Sequence, residues 1–396
     1  VYARGRRGYV QRGYNYHGRD FGRRAYFYHG HEYNRYYRGY GYRGMYLNVY
    51  APGYYYGPGF YGWAYNPWAV PIAYPWGWAG NPWYGFYGGY FSPYAVYPSA
   101  AFWLTDYIIS QDLQAAYAAH QEAGEADGDP NAGSGPALTP EVKQQIADEV
   151  KGELALENAE AAQNTAGQDA DPGSSGIARL LSDGRPHVFV VGNALDLTDT
   201  NNQECSVSDG DALQLQSPPP PDATSATLLV LAAKGGRECA PNSNVNVQLT
   251  DLQEMQNHMR ETIDQGLQDL QAKQGKDGIP AAPPSAQVPP TQPQYAAAAP
   301  PPDPSDAQTI QQQDQQADQA EQEATGTAPP AGPSASESPD PAAPAAPASV
   351  SLGQTTDQVK AALGAPLREA NLGPKVIYYY NGMKVTFKNG KVSNVE

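Results

Sequence analysis

The apolar positions of this chain recur at two spacings, and each marks a different kind of element. Val142, Ile146, Val150 and Leu154 return every fourth residue behind Thr139 and Pro140, a capping hydroxyl followed by a proline at the first helical position. This predicts an amphipathic helix with a narrow stripe that needs a partner. The nearest partner is a helix predicted over 100–121, where Phe102, Ile109, Leu113, Ala116 and His120 share a face; a second copy of the chain is the alternative. A third helix places Leu252, Met255, Met259, Ile263, Leu267 and Leu270 on one side, opened by a Thr250/Gln253 capping box. Between 187 and 249 the spacing shortens to two. Buried or alternating strands are expected at His187–Gly192, Leu195–Leu197, Cys205–Val207, Leu213–Leu215, 226–233 and Val245–Leu249. Short strands joined by loops such as SDGD and AKGG predict a small β-barrel or sandwich over 176–274, closed by the third helix.

Elsewhere neither spacing is visible. Residues 1–50 repeat Arg-Gly-Tyr phrases (RGRRGY, YYRGYGYRG) and read as a disordered basic tail, since glycine frees the backbone and no periodic face emerges. Residues 51–98 belong to a stretch, 51–105, with 21 aromatics and no charged side chain; eight prolines from Pro52 to Pro98 exclude a continuous helix or a central strand. Two readings stand for this segment: it packs on the rest of the protein, or it offers a sticky surface. In the second reading Trp63, Trp68, Trp76, Trp78 and Trp83 are the candidate binding side chains. The 99–163 region holds the two helices and their linker. Residues 275–348, rich in Pro, Ala and Gln, read as a flexible tether.

Residues 349–396 form a well-punctuated small module. Thr355 and Gln358 make a capping box, Val359 and Leu363 face inward, and Gly364-Ala365-Pro366 stops the helix. VIYYY, MKVTFK and KVSNV, separated by Asn381-Gly382 and Asn389-Gly390, predict a three-strand meander in which Met383, Val385 and Phe387 face the helix. The run from LGQTTDQVKAALGAP through VIYYYNGMKVTFKNGKV resembles the C-terminal part of the SmpA/OmlA family, small outer-membrane lipoproteins that include an accessory of β-barrel assembly. The resemblance implies a helix-and-strand fold, a bacterial envelope location and a protein partner for 349–396.

Charge and cysteine content narrow the function classes. The formal charge of −16 conceals a polarity: residues 1–50 carry ten Arg, no Lys and only Asp20 and Glu32, leaving 15 basic against 39 acidic residues in the remainder. Such asymmetry marks an interaction tail or pairing between the basic head and the acidic remainder. Nucleic acid is not the expected partner, because no RNA-binding fold adjoins the Arg/Tyr stretch. Cys205 and Cys239 are too few for a zinc site and fit one disulfide in an oxidising compartment. The sequence begins at Val1 without Met, consistent with a removed signal peptide or a fragment. No run is long and apolar enough for a transmembrane helix. The G-x-G-x-x-G patterns at Gly39 and Gly57 are expected as chance hits of a Gly-rich stretch, with no strand-to-helix setting predicted around them. The calcium-like spacing from Asp127 fails at Ala132 and Leu138. His29 and His31 could hold a metal only on a strand, and Asp196, Asp199 and Glu204 only in a loop where acids ordinarily face water. The expectation is a multi-segment α+β protein without a catalytic, cofactor or metal site. Its predicted role is non-enzymatic binding or structure at the cell envelope, periplasmic or extracellular. An envelope polymer or membrane surface is its partner through residues 1–105, and self-association is also open. Barrel assembly through the C-terminal module and an enzyme with scattered site residues are the alternatives.

Overall fold

In the computed structural model the described residues are 9–28, 31–127, 133–236, 238–301, 303, 305, 308, 354–363, 366, 368–371, 375–380, 383–388 and 390–395. They form two compact units. One holds described residues of 13–23 and 34–299; the other holds those of 9–12, 24–33 and 300–396.

Four strands occupy the stretch read as a tail: β1 (Tyr9–Tyr16), β2 (Arg19–Tyr28), β3 (His31–Tyr42) and β4 (Met45–Ala51). Two short turns make this possible. His17-Gly18 and Arg43-Gly44 both hold positive φ at both positions, the twist that matches a tight antiparallel hairpin. The second turn sets β3 against β4 with Tyr42 opposite Met45 and Tyr36 opposite Ala51. The expectation of disorder is thus corrected for the described part of 1–50. Alternation was hidden because Tyr and Arg each combine an apolar body with a polar tip, so inward and outward positions look alike in composition.

Residues 51–98 place many of their rings in the core. Helices α1 (Pro58–Tyr65) and α2 (Pro82–Tyr87) each start with a proline, which supplies the right φ where no N–H is needed. Around them Tyr55, Phe60, Tyr61, Tyr87, Tyr90, Phe91 and Tyr97 are buried. Gly59 lies so close to the short 3-10 turn Pro284–Ala286 that a Cβ would meet the Ser285 carbonyl oxygen at 2.4 Å. The segment 275–299, expected as tether, in fact lies on this aromatic layer. Ile279, Ala282, Ala286 and Tyr295 are buried, Tyr55 and Thr291 exchange backbone hydrogen bonds of 2.9 and 2.8 Å, and Tyr295 on α8 (Gln294–Ala297) donates to the Pro52 carbonyl at 2.6 Å. Its aromatic and apolar side chains secure it despite the prolines. The rest of the expected tether falls almost wholly outside the described residues.

Helices α3 (Ala100–Asp127) and α4 (Pro140–Thr165) pack on each other, and Thr139 caps α4 by accepting from the Val142 N–H. All four stripe residues of α4 are buried. After two short helices, α5 (Pro172–Ser175) and α6 (Ile177–Leu180), come six strands: β5 (His187–Val190), β6 (Leu195–Asp199), β7 (Glu204–Val207), β8 (Ala212–Leu215), β9 (Ser225–Ala232) and β10 (Asn244–Gln248). They form an antiparallel sheet in the order β5-β8-β9-β10-β6-β7. The ends, β5 and β7, do not pair, so the sheet is open; a closed barrel is not found among the described residues.

The long α7 (Leu249–Lys273) closes the core as expected, with all six apolar face residues buried. Its first half packs with the sheet residues Phe189, Leu213, Leu228 and Val247, and its second half with α3 and the aromatic layer. Gly266 permits that second contact, because a Cβ there would reach Leu104 at 2.4 Å. The helix starts at Leu249 without a side-chain cap, so the Thr250/Gln253 capping box is corrected. Gln253 instead accepts from the Ile177 N–H at 3.0 Å and donates to Asn257 at 2.9 Å.

In the second unit helix α9 (Thr356–Leu363) begins with the expected reciprocal cap: the Thr355 N–H donates to Gln358 at 3.0 Å, and the Gln358 N–H to Thr355 Oγ1 at 3.3 Å. The meander gains a strand. β11 (Arg368–Asn371), β12 (Lys375–Tyr380), β13 (Met383–Lys388) and β14 (Lys391–Val395) pair antiparallel in succession, and β1 continues the sheet with Tyr9 opposite Asn371 and Val10 opposite Ala370. β11 was missed because REAN carries no apolar alternation. Val359, Tyr378, Val385, Phe387 and Val392 form the module's core. The Asn381-Gly382 turn lies outside the described residues.

Candidate functional site

The densest chemistry of the first unit is buried between α4, α7 and the β3–β4 hairpin. It follows from helical phase. On α4 the apolar stripe ends at Leu154, but the same face continues as Glu153, Glu157 and Glu160, all buried. On α7 the row Gln253, Gln256, Arg260 and Asp264 flanks the apolar face at steps of three and four residues and is likewise buried. The hairpin supplies Arg35, Tyr37, Arg38 and Tyr50, which are also buried.

Arg260 sits at the centre. Its Nη2 lies 2.9 Å from Glu160, its Nε 3.5 Å from Glu153 and 3.8 Å from Glu157, and its Nη1 donates to the Tyr50 carbonyl at 3.3 Å. Arg38 reaches the other oxygen of Glu160 at 3.2 Å and donates to the carbonyls of Ala170 (2.8 Å) and Tyr50 (3.2 Å). Ser175 and Tyr55 complete the shell of Glu160. Glu153 is shared with Arg179 at 2.7 Å, and Glu261 faces Arg35 at 3.8 Å and the Tyr37 hydroxyl. Tyr50 donates to Asp264 at 2.6 Å. Asn257 seals the exposed edge of β4 by accepting from the Tyr50 N–H at 2.9 Å and donating to the Asn48 carbonyl at 2.7 Å, the pattern of a neighbouring strand.

Protonation follows from this geometry. Burial alone would raise the Glu160 carboxyl, yet Arg260 and Arg38 outweigh it and hold it at about 2. Burial raises Glu157 well above the usual range, and the neighbouring Asp264 adds to this. Asp264 rises to about 6 through burial, against the Tyr50 hydrogen bond and the Arg260 charge. Within the cluster the guanidiniums of Arg35, Arg38, Arg179 and Arg260 face the carboxyls of Glu153, Glu157, Glu160, Glu261 and Asp264. A proton kept on the Glu157/Asp264 pair, both raised by burial, balances the set. The arrangement can hold a proton and fix three chain segments. No group of three or more His, Cys, Asp or Glu with metal-holding geometry occurs among the described residues.

Smaller buried pairs repeat the principle. Lys143 bonds Asp106 at 2.6 Å and lies 3.8 Å from the Tyr94 ring centre, while Asp106 also accepts from Tyr97 at 2.7 Å. Lys234 bridges Asp211 and Glu238 beside the disulfide. His258 pairs with Asp112 at 2.6 Å; burial would lower its imidazole, but Asp112 prevails and raises it to about 9.

Cys205 and Cys239 are joined, with Cα atoms 4.9 Å apart, and the Cys239 N–H donates to the Ser206 carbonyl at 2.7 Å along the edge of β7. The five tryptophans singled out as candidate binding side chains differ in exposure. Trp68 and Trp83 are buried, at 7% exposure each, and Trp63, Trp76 and Trp78 are half-buried against the core. Trp76 stacks on Trp78 at 4.4 Å and on the fully buried Trp103 at 4.8 Å. These rings pack on one another and on the core, because uncharged aromatic surface gains from leaving water. Asp199 accepts from the backbone N–H groups of Asn201 and Gln203, both at 2.8 Å. Of the His29/His31 pair, His29 and the His31 side chain lie outside the described residues.

Comparison with protein families, curated proteins and solved structures finds no match to this chain.

Proposed function

We propose that this is a non-enzymatic structural and binding protein of the bacterial cell envelope, working in an oxidising compartment. The observation that carries the reading is the Cys205–Cys239 bond. A disulfide persists where the compartment is oxidising and is reduced in an ordinary cytosol. Two further features support it. The aromatic segment and the ion cluster invest their chemistry in internal cohesion, which suits a rigid scaffold outside the reach of cytosolic chaperones. The module at 349–396 resembles an outer-membrane lipoprotein family and is the segment proposed to meet a protein partner. Contact with envelope polymer through 1–105 falls to the side chains of that stretch left exposed, among them Tyr46 and Tyr54.

Cell fractionation combined with thiol trapping tests this. The protein is expected in the envelope or extracellular fraction, with both cysteines inaccessible to a maleimide until reductant is added. Recovery in the cytosol with two reactive thiols would overturn the reading. A pull-down with the full chain that retrieves barrel-assembly components would favour the more specific alternative.

A further inference from the structure

Two exposed features of the first unit complement each other. The first is a shallow groove of about 210 Å³ between the start of α3 and the loops before it, lined by Tyr65, Pro67, Pro98, Ser99, Phe102 and Lys151. Tyr65 is 44% exposed, and Lys151 lies 5.2 Å from the Phe102 ring centre, so a cation sits at the edge of an aromatic floor. Nearby positions of the same uncharged ribbon, Val70 at 69% and Val96 at 54%, are also exposed.

The second is the loop between β8 and β9, Ser217-Pro218-Pro219-Pro220-Pro221-Asp222. Pro218, Pro220, Pro221 and Asp222 are exposed. Pro218–Pro220 are ring-locked at φ, and the chain then turns at once, with the Ala223 N–H donating to the Pro220 carbonyl at 3.0 Å, so the loop has little conformational freedom left to lose on binding. The loop is also held from behind. Arg43 donates to the carbonyls of Pro220 at 2.7 Å and Ala223 at 3.1 Å. Rigid proline-rich segments are recognised by grooves of aromatic rings, with a charged residue at one end setting direction. The chain already uses this kind of pairing once: Asp303, closing the run Pro-Pro-Pro-Asp at 300–303, is held by Arg12 at 2.8 Å.

We infer that the proline loop 217–222 of one copy docks in the Tyr65/Phe102 groove of a second copy, with Asp222 on Lys151. Lys151 now rests 3.4 Å from Asp148, whose side chain is 60% exposed, a weak surface contact that Asp222 can replace. The occupant is a second copy rather than a foreign proline peptide because the acid that follows the prolines in this chain matches the single cation at the groove rim. The contact is heterologous, since groove and loop are different surfaces, so it generates rings or open chains rather than a two-fold dimer. It stands independently of the compartment proposed above.

Sedimentation equilibrium of the full oxidised chain is the test, with a peptide of residues 216–224 as a fluorescence-titration probe. The weight-average mass is expected to rise with concentration and to fall with added salt. Lys151→Glu and Asp222→Lys are each expected to weaken association about tenfold, and the double charge reversal to restore it. Tyr65→Ser should abolish both self-association and peptide binding while leaving the thermal transition in place. A mass that stays at the 42.5 kDa of one chain at every concentration would overturn the inference. So would association that ignores all three variants. Peptide binding without self-association would point to a foreign partner and overturn it equally.

Discussion

Replacing Arg260 by Met should lower the unfolding free energy by about 3–5 kcal/mol, the usual cost of removing one partner from a buried ion cluster. Met retains the apolar reach of the side chain, so the loss is electrostatic. Glu153, Glu157 and Glu160 would all lose the cation that lies within 4 Å of each. Urea denaturation at pH 7 measures this directly. Two comparisons make the result specific. Lys273→Met breaks the exposed contact with Asp269 at 3.8 Å and should cost less than about 1 kcal/mol. Adding Glu160→Gln to Arg260→Met should cost less than the two single losses combined, because the second change removes one of the charges stranded by the first.

The second large effect is on pH. Glu160 is held at about 2, below its ordinary 4.5, so its stabilisation is fully present above 4.5 and lost as pH falls through 2. Asp264 acts in the opposite sense. Raised from 3.8 to about 6, it contributes stability that is present below 3.8 and lost as pH rises through 6, on the order of 2–3 kcal/mol. Glu157 is raised further and extends the loss to higher pH; it faces Asp264, Arg260, Glu160 and Glu153, and the Tyr61 and Tyr56 phenols from α1 and the loop before it. His258, raised to about 9, adds stability that fades as pH climbs from 6.5 through 9. The protein should therefore be most stable near pH 4–5, weaker on both sides. Glu157→Gln should flatten the slope between pH 5 and 8, since an amide fills the same space without a proton to lose. Urea titrations from pH 3 to 9 read both effects. A stability that climbs steadily to pH 9 in the native chain would exclude the shared proton.

The cluster also shows what was and was not legible in the sequence. Elements that contrast apolar with polar positions could be read, as with the α4 stripe, the α7 face, ATLLVLAA and the reciprocal Thr355/Gln358 cap. The head could not, because Tyr and Arg occupy both faces of its strands and glycine is too common there for His17-Gly18 and Arg43-Gly44 to stand out as turns. Glu153, Glu157 and Glu160 were readable in principle, since they continue the phase of Val142, Ile146 and Val150. Acids on a helix ordinarily face water, and only a cation brought from a distant segment reverses that preference. That cation belongs partly to the head: Arg38 lies 122 residues from Glu160 in the chain. The polarity between a basic first fifty residues and an acidic remainder is plain in the sequence. Part of it is used within the chain, as Arg12–Asp303, Arg35–Glu261 and Arg38–Glu160 show. The tryptophans are ambiguous for the opposite reason, because rings without charges nearby suit a wet surface and a dry core equally well by composition.

The central claim is that the Arg/Tyr-rich head is a folded part of the molecule, fastened by buried charges. Hydrogen exchange of the backbone amides of 36–51 tests it most directly. Amides whose hydrogen bonds join β3 to β4, together with the Tyr50 N–H held by Asn257, should exchange only through global or near-global opening, and their protection should collapse in Arg260→Met. Exchange of these amides at the rate of an unstructured peptide, while the β9 and α7 amides stay protected, would contradict it.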